Sequence, residues 1–318
     1  MQFRTAAVIT AVLALAGAPA VASAAPPQPA TSASAPALRV LTTNTMLLPS
    51  FITDGWAQDR RGELIGSAPY LSGNDVVVFQ ELFDNSASEI LLDRLEGHPH
   101  RTPVVGRSKS GWDETRGAYS SLAPEDGGVA IASRWPITRR IQYIFEDECG
   151  TDALSQKGFA YARLDVDGRP VHVVGTHLQA DDALCGGGQA ARVRASQLSE
   201  MRSFVDELRL PVEEPVLFVG DLNVDRHSDE YPAMLQTLDA ASPEYGGHPY
   251  TFDPATNDVA RARSGESPSQ WLDYVLYDNR HARPDSWHNT GQEVSSPAWE
   301  VGGDTYTRYS DHYPVLGS

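Results

Sequence analysis

Residues 159–177 constrain the fold more than any other segment, because two apolar, β-rich runs there are joined by Asp167-Gly168. An Asp-Gly pair between alternating hydrophobic runs favours a two-residue hairpin turn, so 159–166 and 171–176 are expected to pair antiparallel. That excludes a purely parallel sheet. Further short strand-like runs lie at 38–43, 75–80, 128–133, 216–220 and 272–276, with turn formers between them. Helical periodicity appears at 189–208, where Val193, Leu198, Met201, Phe204, Val205 and Leu208 share a face and Arg192, Arg194, Glu200 and Arg202 fall elsewhere. A second helix is expected at 86–95. Several strands, few helices and an antiparallel hairpin predict an α/β (α+β) architecture of two packed mixed β-sheets flanked by helices.

Residues 1–24 have Arg4 in a short leading segment, an apolar run over 6–16 and Ala22-Ser23-Ala24, the pattern of a cleaved secretory signal peptide. The run falls short of the roughly 20 residues that span a bilayer, which argues against an anchor. Residues 25–37 are rich in Pro, Ala and Ser without apolar period and read as a flexible N-terminal tail, leaving 38–318 as one domain. The leader carries only Arg4, so the exported chain has 24 basic residues against 42 acidic ones. Such acidity weakens attraction to phosphate backbones, and no stable nucleic-acid partner is expected. The two cysteines, Cys149 and Cys185, are expected to form a disulfide in an oxidising, extracellular setting, since no CxxC spacing suggests zinc.

Polar residues able to bind metal or move protons recur where apolar runs end: Asn44, Glu81, His177, Asp221 with Asn223, and Asp311 with His312. Singly, Asn44 or Asp221 reads as a turn former, and Glu81 reads equally as a helix-entry residue or a ligand. Together they point to a site, because a carboxylate at a buried strand end needs a cation or donors around it. The remaining histidines, such as His98, His100 and His172, read as structural or surface residues.

The motifs TTNTM at Asn44, FQELFDN at Glu81, PEDGGVAI from Pro124, GTHLQADD at His177, GDLNVD at Asp221, LDYVLY at Asp273 and YSDHYPV at Asp311 and His312 occur in family order. With them the chain resembles the endonuclease/exonuclease/phosphatase superfamily, and within it the bacterial neutral sphingomyelinases. The resemblance covers nearly all of 38–318 and implies a DNase I-like four-layer sandwich. It implies Mg²⁺-dependent hydrolysis of sphingomyelin to ceramide and phosphocholine, with Mn²⁺ or Co²⁺ as alternative ions. Sphingomyelin or other choline phospholipids at a membrane or micelle surface are then the partners, and a monomer is expected. Phospholipase C activity on phosphatidylcholine is the nearest alternative, and a secreted nuclease is a more distant one.

Phosphodiester hydrolysis needs a polarised phosphoryl group, an activated water and a stabilised leaving oxygen. Following the family pattern, Glu81 would hold Mg²⁺, with Asp311 near the metal. His312 would take the proton from water, and Asp273 would fix its tautomer. His177 would donate to a phosphate or leaving oxygen, Asn44 and Asn223 would add neutral donors, and Asp221 would orient the nucleophile or bind the metal's water shell. A second divalent cation is implied at Phe83 through its carbonyl or at Asn85, with Glu125 and Asp126; PEDGG by itself reads as a turn. One departure stands out. Members that attack cell membranes insert an aromatic hairpin ahead of SDHYP, whereas here Val301-Gly302-Gly303-Asp304 replaces the aromatic pair, with Trp299 and Tyr306 retained. Weak insertion into intact bilayers is expected.

Overall fold

The computed structural model describes residues 36–49 and 55–318. The expected signal peptide and all of the expected tail before residue 36 lie outside the described residues. In chain order the strands are β1 (Val40–Leu47), β2 (Val76–Leu82), β3 (His100–Arg101), β4 (Glu114–Gly117), β5 (Ala130–Ser133), β6 (Ile137–Ile144), β7 (Gly158–Val166), β8 (Arg169–His177), β9 (Val216–Asp221), β10 (Glu244–Gly247), β11 (Asp273–Tyr277), β12 (His288–Gly291), β13 (Trp299–Val301), β14 (Asp304–Tyr306) and β15 (Val315–Gly317). The α-helices are α1 (Gln58–Gly66), α2 (Asn85–Asp93), α3 (Gln189–Leu208), α4 (Glu230–Leu238) and α5 (Asp258–Ser264).

Two mixed sheets result. One runs β10-β12-β15-β1-β2-β5-β3 and the other β11-β9-β8-β7-β6-β4. The β7–β8 hairpin pairs antiparallel as expected, and Asp167 and Gly168 both take positive φ (52° and 81°), the turn geometry that matches strand twist. Strand alternation divides the side chains between layers. From β7, Ala160, Ala162 and Leu164 meet Val76, Val78 and Ile131 of the other sheet, forming the core between the sheets. Phe159 and Tyr161 point the opposite way, against Leu198, Met201, Phe204 and Val205 of α3 and Met234 and Leu238 of α4. On the far side, Leu41, Val77, Phe79 and Ala130 pack on Ile65 of α1 and on Ala87 and Leu91 of α2. The order of layers is therefore helix, sheet, sheet, helix.

The predicted 189–208 helix forms over those residues, but Arg194 and Arg202 are buried rather than solvated. Arg194 is paired with Asp181 and Glu230, and Arg202 with Asp206 and Asp278. The predicted strands are also longer than their apolar runs. β1 extends to Leu47, β2 to Leu82, β8 to His177 and β9 to Asp221. Each extension takes a polar candidate residue into the strand, and this places the site.

Candidate active site at the strand ends

Register builds one half of the site. β8 and β9 run parallel and align His177 with Asp221, while antiparallel β11 aligns Asp273 with Asp221, so three polar residues stand abreast. Gly220 permits this approach: its φ is +150°, and a Cβ there would lie 2.0 Å from the carbonyl oxygen of Thr176. The other half comes from parallel β1 and β2, which pair Asn44 with Gln80 and carry Glu81 immediately beyond. The backbone is strained here. Met46 and Glu81 take φ of 50° and 56°, a region that costs most side chains about 1–3 kcal/mol and persists only when the surroundings hold it. Arg61, fully buried on α1, supplies that hold by donating to Met46 O at 2.6 Å, Thr45 O at 2.5 Å and Tyr309 O at 2.8 Å.

Asn44 bridges the halves. Its Nδ2 donates to Glu81 Oε1 at 3.0 Å and Asp221 Oδ2 at 3.1 Å, and its Oδ1 accepts from Met46 N. Both amide hydrogens are thus committed to carboxylates, so Asn44 orients those acids instead of offering the free donor expected from sequence. The backbone N–H of Asn223 donates to Asp221 Oδ1 and its Nδ2 to Leu178 O, both at 3.0 Å, leaving one side-chain N–H. Asp221 Oδ2 also lies 3.6 Å from His177 Nε2 and 3.8 Å from His312 Nδ1.

His312 Nδ1 lies 2.9 Å from Asp273 Oδ2. Burial alone would lower the His312 pKa, but Asp273 and then Asp221 outweigh it and lift the imidazole to about 10. Burial, with Asp273 second, pushes Asp221 up to about 7. His177 moves the other way: burial, then the Lys157 ammonium and His312, hold it well below the usual range. Lys157 Nζ is 3.3 Å from His177 Nε2 and is anchored by Asp152 at 2.7 Å and Leu178 O at 3.1 Å. Donation from Lys157 to Nε2 leaves the proton of the neutral imidazole on Nδ1.

The donor set fits a divalent cation. Glu81 Oε2 and Asp273 Oδ1 are buried without a hydrogen-bond partner. Burial, with Asp311 next, raises the Glu81 pKa against the opposing effects of Arg263, Asn44 and His312. Hard oxygen donors of this kind suit a small divalent ion. Asp311 accepts from Ser310 Oγ at 3.2 Å and from Arg263 Nη1 at 2.6 Å. Arg263, His312 and Arg61 hold its pKa low against the opposing effect of burial.

Glu81, His177, Asp221, Asn223 and His312 line one cleft of about 280 Å³, together with Asp181, Phe252, Arg263, Gln270 and Leu272. Phe83 and Glu125 lie in an adjoining cleft of about 230 Å³ with Leu48 and Leu154. Of the other two residues expected at a second cation, one is committed elsewhere. Asp126 spends its oxygens on Arg107 at 2.7 Å and Gly128 N at 2.8 Å, and Asn85 is exposed at the start of α2. Cys149 and Cys185 form a disulfide. Sequence reasoning missed Arg61, Lys157 and Arg263. A lysine at 157, two residues ahead of the apolar run 159–166, was the one available signal.

Comparison with known proteins places this geometry in context. Residues 55–312 match the Endonuclease/Exonuclease/phosphatase family. The chain is 46% identical over 293 residues to a sphingomyelinase C of Bacillus cereus, a span of 88% of each chain. It is similar in structure to sphingomyelinase C from Streptomyces griseocarneus, with a TM-score of 0.87 and 47% identity over 89% of this chain and 99% of that one. A Staphylococcus aureus beta toxin double mutant with bound magnesium ions superposes with a TM-score of 0.86 at 39% identity, over 88% and 98% of the two chains.

Proposed function

The chain belongs to the endonuclease/exonuclease/phosphatase family and, within it, to the bacterial sphingomyelinase C group; from that premise we propose that it is a secreted, magnesium-dependent phosphodiesterase hydrolysing sphingomyelin to ceramide and phosphocholine. The observation that carries the reading is the meeting, in one cleft, of the His312–Asp273 pair with the unpartnered carboxylate oxygen of Glu81.

In this reading Glu81 holds the cation, with Asp311 beside it. The cation supplies charge neutralisation and a Lewis acid for the phosphoryl oxygens. With a divalent cation bound beside it, the imidazolium form of His312 is opposed, and the raised pKa of the metal-free site comes down. Asp273 then keeps the Nδ1 proton of the neutral ring in place, so Nε2 is the nitrogen that takes the proton from the attacking water. Asp221, bridged to Glu81 by Asn44, orients that water. Asn223 donates through its remaining side-chain N–H to the charge that develops on the phosphoryl and leaving oxygens, and His177 joins it when its Nε2 carries a proton in place of the contact from Lys157. Mn²⁺ or Co²⁺ would serve at the same oxygen donors, and Phe83 with Glu125 would form an outer cation site. The enzyme acts as an extracellular monomer on choline phospholipids presented by membranes or micelles and keeps no nucleic-acid partner.

The test is phosphocholine release by the purified protein from sphingomyelin and from phosphatidylcholine, each with Mg²⁺ and with chelator. Magnesium-dependent release favouring sphingomyelin supports the reading. Preference for phosphatidylcholine would make it a phospholipase C with the same machinery, and no release from either would overturn it.

A further inference from the structure

Arg263 stands in the last turn of α5 and is the one lysine or arginine among the described residues lining the main cleft. Its Nη1 donates to Asp311 Oδ2 at 2.6 Å, while Nε and Nη2 make no hydrogen bond to any described residue. The side chain is 29% exposed. One edge of the guanidinium is therefore anchored, and the rest is open to the cleft with donors to spare. An arginine guanidinium stays charged at any working pH.

Apart from the histidines, the other titratable groups around this space are carboxyls, which are unfavourable to an anion when ionised. Glu81, Asp181 and Asp221 line the same cleft. A phosphodiester entering it carries its own negative charge, and it needs fixed positive charge aimed at its oxygens before water can attack. An arginine suits that task because its planar fork matches two phosphate oxygens, and pinning by Asp311 removes the cost of ordering it. The same guanidinium borders the adjoining cleft of Leu48, Phe83 and Leu154, so it marks where a polar headgroup space meets an apolar one.

We infer that Arg263 is a substrate-binding residue whose free edge donates to a non-bridging oxygen of the phosphodiester, at the junction of the two clefts. This rests on the phosphodiesterase reading above. The competing role is electrostatic only, in which Arg263 does no more than neutralise Asp311 beside the metal.

Kinetics of Arg263→Gln and Arg263→Lys on sphingomyelin in mixed micelles and on a water-soluble chromogenic phosphocholine ester separate these roles. Alongside them, inhibition by phosphocholine, the Mg²⁺ concentration for half-maximal rate and Tm are measured. Loss of one preorganised donor to the reacting group costs on the order of 10²-fold in rate. The expected result is a fall of about that size in kcat/KM for Arg263→Gln on both substrates and a smaller fall for Arg263→Lys. Phosphocholine inhibition weakens in parallel, while the Mg²⁺ requirement moves less than about threefold. A kcat/KM within about threefold of wild type in Arg263→Gln, or a loss fully recovered by added Mg²⁺, would overturn the inference. Wild-type inactivity on both substrates would instead remove the phosphodiesterase reading, and this inference with it.

Discussion

His312 and Asp273 approach to 2.9 Å between Nδ1 and Oδ2, although 39 residues separate them in the chain. Asp273 is held by register with Asp221 on β9, and the His312 backbone N–H meets Ser310 Oγ at 3.4 Å. In the proposed mechanism this pair selects the tautomer that leaves Nε2 as the base. Asp273→Asn keeps the size but replaces an acceptor with an amide that can favour the wrong tautomer. It is expected to lower kcat by about 10³–10⁴-fold, with a small change in KM, as tautomer-fixing carboxylates do elsewhere. Steady-state kinetics on mixed micelles check this; a kcat within tenfold of wild type would be incompatible with it.

The same pair makes stability depend on pH in metal-free protein. The folded His312 pKa is about 10, against roughly 6.5 for an unfolded histidine. Because the folded value is raised, the contribution is fully present below about pH 6.5 and is lost as pH rises through about 10. Urea unfolding of chelated protein at pH 6 and pH 9 is expected to show a larger loss of stability on going to pH 9 in wild type than in His312→Gln. Parallel losses in the two proteins would contradict the assignment.

The Cys149–Cys185 bond closes a 36-residue separation and clips the segment ahead of the 3₁₀ turn Gly150–Leu154 to Ala190 and Val193 of α3. On the chain-entropy account this constrains the unfolded chain by about 4 kcal/mol. Replacing both cysteines with Ser should lower the urea unfolding free energy by several kcal/mol. An unchanged midpoint would show that the unfolded chain gains nothing from losing the link.

Trp299 and Tyr306, the aromatics retained near SDHYP, are only 3% and 8% exposed. They stack 4.8 Å apart on the β13–β14 hairpin and pack against Trp56 and Met46, while the tip offers Gly302, Gly303 and Asp304 to solvent. Little apolar surface is left there for lipid. Faster hydrolysis of sphingomyelin in mixed micelles than in tightly packed liposomes is expected, and equal rates would refute that expectation.

Much of this was legible in the chain because the signals were local. Asp167-Gly168 fixes a hairpin by turn geometry alone, the apolar period over 189–208 survives burial of two arginines, and motif order pointed to Glu81, His177, Asp221 and His312. What escaped depends on distant partners. Arg263 lies in a helix of only seven residues, too short to show an apolar period, and only the fold brings it to Asp311. Lys157 is buried because Asp152, His177 and Leu178 O converge on it. β6 was missed because Arg139-Arg140 interrupts its apolar alternation. The commitment of both Asn44 hydrogens, and the diversion of Asp126 to Arg107, are consequences of packing that no spacing announces.

The central claim is water attack on the phosphorus of sphingomyelin at a metal-bearing cleft. Hydrolysis in ¹⁸O-labelled water with Mg²⁺, followed by mass analysis of both products, tests it most directly. The account predicts one ¹⁸O in phosphocholine, none in ceramide, and no turnover once chelator is added. Label in the ceramide hydroxyl, or undiminished turnover with chelator, would contradict it.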